Sequence, residues 1–251
     1  QSGEGRSRTN IGLPGLQMEL LKEIKKVNRN IVLVVMSGRP LDLTWEDENI
    51  PAIVQAWQLG SRSGDAIAQV LYGDYNPSGK LTMSFPRNVG QVPVYYNFKN
   101  TGRPSTSIEQ VTNSGYADVE NSPLYSFGYG LSYTEFKYSD FEISSSTMTK
   151  DSKINASIRV TNTGNYKGEE VVQLYLRDIV GSIARPMKEL KGFEKIELNP
   201  GESKIVNFEI ENSLLEFYSY NNVWESEPGK FHIFIGTDSN VSDYKEFYLV
   251  D

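Results

Sequence analysis

Two architectures in one chain are expected: an α/β domain truncated on its amino-terminal side, followed by an antiparallel β-sandwich. Three observations predict this. Residues 31–36 and 52–57 are apolar runs without alternation, the pattern of strands covered on both faces as in a parallel sheet. Stretches of helical periodicity flank them. From residue 136 onward the texture changes to short alternating strands separated by Asn, Pro and Gly turn signals.

Residues 14–27 read as a helix. Leu16, Leu20, Leu21, Ile24 and Val27 share one side, Glu19, Lys22, Glu23 and Lys26 lie elsewhere, and Pro14 suits a first turn. A strand over 31–36 follows, then a loop or short helix over 37–51, then the strand over 52–57. Residues 63–72 form a further helix carrying Ala66, Ile67, Val70 and Leu71, and 81–85 a strand ended by Pro86. This order is part of an α/β sheet with crossover connections. Because it opens on a helix, at least one preceding strand is expected upstream of Glu4. Residues 87–135 are rich in Tyr, Asn, Gly and Pro and show little periodicity. Irregular stretches of this length are usually functional or packed against a neighbour.

Strands are then expected over 155–160, 171–176, 204–210, 231–235 and 246–250. Val172, Leu174 and Leu176 fall on one side of the second; Val206, Phe208 and Ile210 oppose Ile205, Asn207 and Glu209 in the third. Asn162-Thr163-Gly164, Asn199-Pro200-Gly201 and Pro228-Gly229 supply turns. Strands at this spacing indicate a sandwich of immunoglobulin or fibronectin type. The domain plan is 1–110 for the α/β part, 111–135 for a linker and 136–251 for the sandwich.

Composition narrows the function classes. The 251 residues suit two domains, and 38% hydrophobic with 12% aromatic content supports real cores. A formal net charge of −7 disfavours nucleic acid and anionic membranes as partners. With no cysteine there is no disulfide framework, thiol nucleophile or cysteine zinc site. The longest apolar run, 31–36, is far too short to span a bilayer. The opening residues have no basic segment or apolar core of a signal peptide, so any targeting signal is expected upstream.

Several motifs invite chemistry. Gln1-Ser2-Gly3-Glu4-Gly5-Arg6-Ser7-Arg8 sets one acid among glycines and arginines; such a loop can bring a proton donor close to a ligand, or be a solvated turn. The only histidine, His232, lies within an alternating strand, which suits packing or surface better than catalysis. A Ser-His-Asp triad would require that one residue. Residues 73–80 superficially resemble a phosphate-binding loop, but five residues separate the glycines and Leu81 replaces the Ser or Thr that would hold magnesium. Asp42, Glu46, Asp47 and Glu48 read as a solvated acidic face, and no metal site is expected. Asn155 and Asn240 open glycosylation sequons. The aromatics Tyr95, Tyr96, Phe98, Tyr116, Tyr125, Phe127, Tyr129 and Tyr133 suit sugar contact or packing, with packing favoured for residues 127–133 because their glycines imply tight turns.

Longer motifs bring these readings together. Residues 64–81 (GDAIAQVLYGDYNPSGKL) and 123–134 (PLYSFGYGLSYT) strongly resemble the C-terminal part of family 3 glycoside hydrolases. Asn162-Thr163-Gly164, Lys191-Gly192-Phe193 and Pro200-Gly201-Glu202 are similar to the family's terminal sandwich. The similarity runs nearly from end to end and is nearest to β-glucosidases and their β-xylosidase relatives. It implies a three-part enzyme: an N-terminal barrel, an α/β sandwich domain and a fibronectin type III-like domain. This chain would hold the last part of the second and all of the third.

The resemblance implies a retaining β-glucosidase acting on terminal non-reducing β-D-glucosyl residues of β-linked oligosaccharides or of aryl and alkyl glucosides. Glu4, in Gly3-Glu4-Gly5, is the candidate acid/base, flanked by Arg6 and Arg8; the nucleophilic aspartate would sit in the barrel, outside this sequence. No cofactor and no metal are implied. The missing barrel is the implied partner, with a homodimer left open and a periplasmic or secreted location. Glu4 is expected to be solvated or disordered in the chain alone, without hydrolase activity. One departure stands out: Ser61-Arg62-Ser63 replaces the family's Gly-rich, Glu-containing turn after the Trp. The alternative is a stand-alone carbohydrate-binding or structural interaction module.

Overall fold

The structure is a computed structural model, and it describes residues 5–104 and 113–251. The described chain divides into two units: 5–75 with 83–94 and 113–125, and 76–82 with 95–104 and 126–251. Residues 113–125 of the irregular stretch therefore pack with the first unit and 126–135 with the second.

In the first unit, α1 (Gln17–Val27) leads to β1 (Val32–Val35), α2 (Thr44–Asn49), β2 (Ala52–Gln55) and α3 (Ser63–Tyr72). The strands β1 and β2 are parallel, with Val32 opposite Ala52 and Val35 opposite Gln55. The crossover through α2 is what lets two consecutive strands run in parallel. The helix α1 starts at Gln17 rather than residue 14.

Three expectations are corrected in this unit. The strands are not covered on both faces: of β1 only Val35 is buried, and Val32 and Met36 are exposed. Helices α1 and α3 lie equally bare, with Leu21 the one buried residue of α1 and none buried in α3. A parallel strand needs cover on both faces, and the described residues place only two strands and few covering side chains here. Residues 81–85 also form no strand. Phe85 makes a single antiparallel bridge with Tyr125, where its N–H donates to the Tyr125 carbonyl at 2.8 Å and its own carbonyl accepts from Leu124 at 2.8 Å. Pro86 follows and has no N–H to extend a ladder.

The acidic stretch is not uniformly solvated either. Asp47 and Glu48 are exposed, but Glu46 is only 1% exposed. Glu46 faces inward from α2, between the buried flanking residues Leu43 and Ile50, three and four positions away. The Glu46 Oε1 has no hydrogen-bond partner among the described residues. Burial raises its carboxyl above the ordinary value, Asp42 adds to the rise, and Lys22 and the backbone bond oppose it. No group of three metal-ligating side chains exists among the described residues.

The second unit is a two-sheet sandwich. Its elements are β3 (Phe136–Ile143), β4 (Thr147–Met148), β5 (Ile154–Asn162), β6 (Gly168–Asp178), β7 (Glu189–Leu198), β8 (Ser203–Ile210), α4 (Asn212–Leu215), β9 (Phe217–Tyr218), β10 (Trp224–Glu225), β11 (Gly229–Gly236) and β12 (Lys245–Leu249). One sheet runs β4-β12-β11-β6-β7 and the other β3-β5-β8, with β9 and β10 forming a separate hairpin. Every pairing is antiparallel except β4 with β12. Alternation fills the space between the sheets: Ile154, Ala156, Ile158 and Val160 of β5 meet Val172, Leu174 and Leu176 of β6 and Phe231, Ile233 and Ile235 of β11 in one buried cluster.

On β6 the other face is covered too. Gln173 and Tyr175 are buried beneath residues 127–128 and Tyr96. The Gln173 Nε2 donates to the Gly128 carbonyl at 3.1 Å, and Tyr175 donates to the Gln173 Oε1 at 2.6 Å. Gly128 has φ +83°, and a Cβ there would stand 2.2 Å from that Oε1, so only glycine fits.

Residues 76–82 are fastened by a buried ion pair. Lys80 Nζ lies 3.1 Å from Glu170 Oε2, with side-chain exposures of 11% and 4%. Lys80 also donates to the Gly130 carbonyl at 3.0 Å, and the Tyr138 hydroxyl donates to Glu170 Oε1 at 3.0 Å. Burial pushes the Glu170 carboxyl up, while Lys80 and the Tyr138 hydroxyl pull it down. The lysine of the loop that looked phosphate-like is thus used inside the fold.

Two predictions follow from these buried acids. Replacing Lys80 by Met leaves Glu170 buried without a cation, and should cost roughly 3–5 kcal/mol; urea unfolding of the variant measures it, and Glu170→Leu in the same chain should recover most of the loss. Glu46 has its folded carboxyl above the unfolded value of 4.5, so the folded state holds that proton more tightly. Its contribution is greatest in acid and is lost as pH rises through the folded value. Glu46→Gln should therefore stabilise the chain near neutrality and flatten its pH dependence, read by thermal unfolding between about pH 4 and about pH 7.

Candidate functional site

In open α/β sheets ligands gather beyond the carboxyl ends of the strands. Here β1 leads into residues 36–40 and β2 into 56–60. Ser37 ties the two ends together: its hydroxyl accepts from Gln55 Nε2 at 3.2 Å and donates to the Arg39 carbonyl at 2.9 Å. Arg39 then reaches the opening segment. Its Nη1 donates to Ser7 Oγ at 3.0 Å and its Nη2 to the Arg8 carbonyl. Gly5 holds φ +69°, a conformation that side chains resist. So the residues just after Glu4 are held at the carboxyl end of β1.

Trp57 closes the end of β2. Its φ of +52° is unusual for a bulky residue and is the kind of strain found at functional sites. An aromatic chain holds it: its ring meets Phe85 edge-on at 5.9 Å, Phe85 meets Tyr125 at 5.8 Å, and the Tyr125 hydroxyl donates to Asp47 at 2.6 Å. Sequence reading did not single out Trp57 as a site residue, because an αL backbone at a tryptophan leaves no compositional trace.

A groove of about 710 Å³ runs from this strand end along α1 and β1. Arg6, Arg8, Arg39 and Gln58 line its polar end, and Leu20, Ile24 and Val34 its apolar side. Its described lining holds no Asp, Glu or His. Guanidinium groups orient anions and carboxylates but do not exchange protons. The described lining can therefore bind and position, and it offers no carboxyl or imidazole for proton transfer. Glu4, the candidate for it, lies outside the described residues.

His232 and Phe127 pack against neighbouring rings. His232 sits on β11 with its ring stacked on Tyr244 at 3.9 Å and its Nε2 3.5 Å from Glu246 Oε2. Burial lowers its basicity, with Arg177 acting in the same direction and Glu246 against it. Phe127 stacks on Tyr96 at 4.2 Å, which is packing rather than a sugar surface. Ser61-Arg62-Ser63 opens α3, where Arg62 pairs with Asp65 at 2.5 Å on the surface.

Comparison with known proteins accounts for both units. Residues 1–133 match the glycosyl hydrolase family 3 C-terminal domain, and residues 170–239 a fibronectin type III-like domain. A periplasmic beta-glucosidase of Salmonella typhimurium is 52% identical over 237 residues, 94% of this chain and 31% of that protein. A beta-xylosidase of Formosa agariphila is 42% identical over 98% of this chain and 33% of its own length. The crystal structure of a beta-glucosidase from Listeria innocua in complex with glucose superposes with a TM-score of 0.92 at 38% identity, over 99% of this chain and 35% of that one. The chain spans about a third of the length of the relatives it matches. It belongs to glycosyl hydrolase family 3, carrying that family's C-terminal domain followed by the fibronectin type III-like domain.

Proposed function

We propose that this chain supplies the C-terminal third of a retaining β-glucosidase, exported to the periplasm or secreted. The observation that carries this reading is the 52% identity over 94% of the chain to a periplasmic beta-glucosidase. A crystal structure of a mutant of the Listeria innocua beta-glucosidase in complex with laminaribiose, at 38% identity, supports β-linked glucosides as the substrate class.

In this reading a carboxylate on an upstream barrel attacks the anomeric carbon, and Glu4 protonates the departing glycosidic oxygen. Glu4 then takes a proton from the water that releases the glycosyl-enzyme. Retention requires the two carboxyls about 5–5.5 Å apart. The nucleophile's negative charge and the exclusion of water would raise the Glu4 carboxyl to a value suited to a general acid. Arg39, bonded to Ser7 and the Arg8 carbonyl, would set the course of the loop that presents Glu4. The bare apolar residues Leu20, Val32 and Met36 would be covered by the upstream part of the protein, since exposed apolar patches of this kind mark interaction surfaces.

The test pairs this chain with the upstream two thirds of the Salmonella relative and follows nitrophenol release from p-nitrophenyl β-glucoside. The chain alone should give none. The pair should hydrolyse the substrate, and Glu4→Gln should slow it by roughly 10²–10⁴-fold. The loss should be smaller with a dinitrophenyl glucoside, whose leaving group needs little protonation. Hydrolysis by the chain alone, or by the pair with no effect of Glu4→Gln, would refute the assignment.

A further inference from the structure

The β9–β10 hairpin carries the most conspicuous aromatic surface of the sandwich unit. Trp224 is 69% exposed, Tyr218 50% and Tyr220 78%. Trp224 and Tyr218 lie opposite each other in register, so they project from the same side of the hairpin. Their rings meet edge to face at 6.2 Å and 67°. Such a contact occupies at most one face of either ring and leaves the others free.

The hairpin is also braced. The Ser219 N–H donates to the Val223 carbonyl at 2.9 Å. Glu225 Oε1 accepts from the Ser219 hydroxyl and from Asn221 Nδ2, the latter at 3.0 Å. These two hydrogen bonds hold the Glu225 carboxyl below its ordinary range. The Tyr220 N–H donates to Ser182 Oγ at 3.4 Å, and the Ser182 N–H to Glu227 Oε2 at 2.7 Å. The rings are thus presented on a preorganised turn, which lowers the ordering cost of binding.

We propose that this hairpin is a saccharide platform, taking the apolar face of a β-linked glucosyl unit against the Trp224 indole, with the tilted Tyr218 ring at its edge. A β-glucosyl ring carries its substituents equatorially, so its axial C–H bonds form two apolar faces and its hydroxyls point outward. The exposed Asn221 and Asn222, in the turn between the two ring-bearing strands, add amide groups to the aromatic surface. The carboxylates of Glu225 and Glu227 repel polyanions and anionic lipid, which separates this patch from a nucleic-acid or membrane surface. The choice of a glucosyl unit rests on the β-glucoside reading above; the platform itself rests on the hairpin.

Calorimetric titration of the full 251-residue chain with laminarihexaose tests the proposal. Saturable binding is expected, weakened about tenfold or more by Trp224→Ala and largely retained by Trp224→Phe. Trp224 and Tyr218 are exposed, so unfolding midpoints should stay close to the parent; should Trp224→Ala fail to fold, Tyr218→Ala is read in its place. Three results would overturn the platform: no saturable heat up to about 10 mM sugar, binding indifferent to both substitutions, or self-association of the chain that Trp224→Ala abolishes. Nitrophenyl glucoside is too short to need the hairpin, so loss of binding with hydrolysis intact removes only the platform. Loss of hydrolysis with binding intact removes only the catalytic reading.

Discussion

A lysine and a glutamate taken out of water together decide how the second unit closes. Lys80 and Glu170 are nearly inaccessible and 3.1 Å apart. Neither charge is tolerable there alone, because desolvating a single ion costs more than any one contact returns. The pair therefore ties residues 76–82 to β6, and the Lys80 bond to the Gly130 carbonyl brings residues 126–134 to the same place. Around it Asn76 accepts from the Ser132 hydroxyl and the Tyr133 N–H, and Ser78 donates to Glu169. The outer face of β6, polar by sequence at Gln173, becomes interior as a result.

The two units differ in how far they satisfy themselves. The sandwich encloses a core in which Ile154, Ala156, Val160, Ile210, Ile233 and Phe247 are essentially inaccessible. In the α/β unit the apolar stripe of α1 faces outward at Leu16, Leu20 and Val27, and β1 is half bare. Burial of apolar surface stabilises by about 25 cal/mol per Å², so the first unit gains much less from its own residues than the second. That imbalance agrees with a chain spanning about a third of the length of its relatives.

The same imbalance shapes the chemistry. The strand-end groove has guanidinium groups, hydroxyls and backbone, which are binding and positioning elements. Hydrolysis of a glycoside needs two carboxyls at a defined separation, and the groove's described lining holds none. The proposed division of labour fits that lining: this chain would position a loop and brace a fold, and residues elsewhere in the protein would carry the covalent step.

Local periodicity was readable directly. The alternation of Val206, Phe208 and Ile210 against Ile205, Asn207 and Glu209 states which face of β8 is buried, because neighbouring side chains on a strand point to opposite sides whatever the strand pairs with. The spacing of Leu43, Glu46 and Ile50 held the same kind of information about a buried acid, masked by three charged neighbours at 47, 48 and 42. The strand β7 was harder to read, since Lys and Glu dominate it and only Ile196 and Leu198 are buried. The family motifs at 64–81 and 123–134 gave the lineage without any geometry. What no window of sequence contained was the partner of Lys80, ninety residues away, the αL backbone of Trp57, and the exposure of Trp224 beside Tyr218. Each depends on where distant segments meet in space, and that is settled by the sum of packing over the whole fold rather than by the preferences of neighbouring residues.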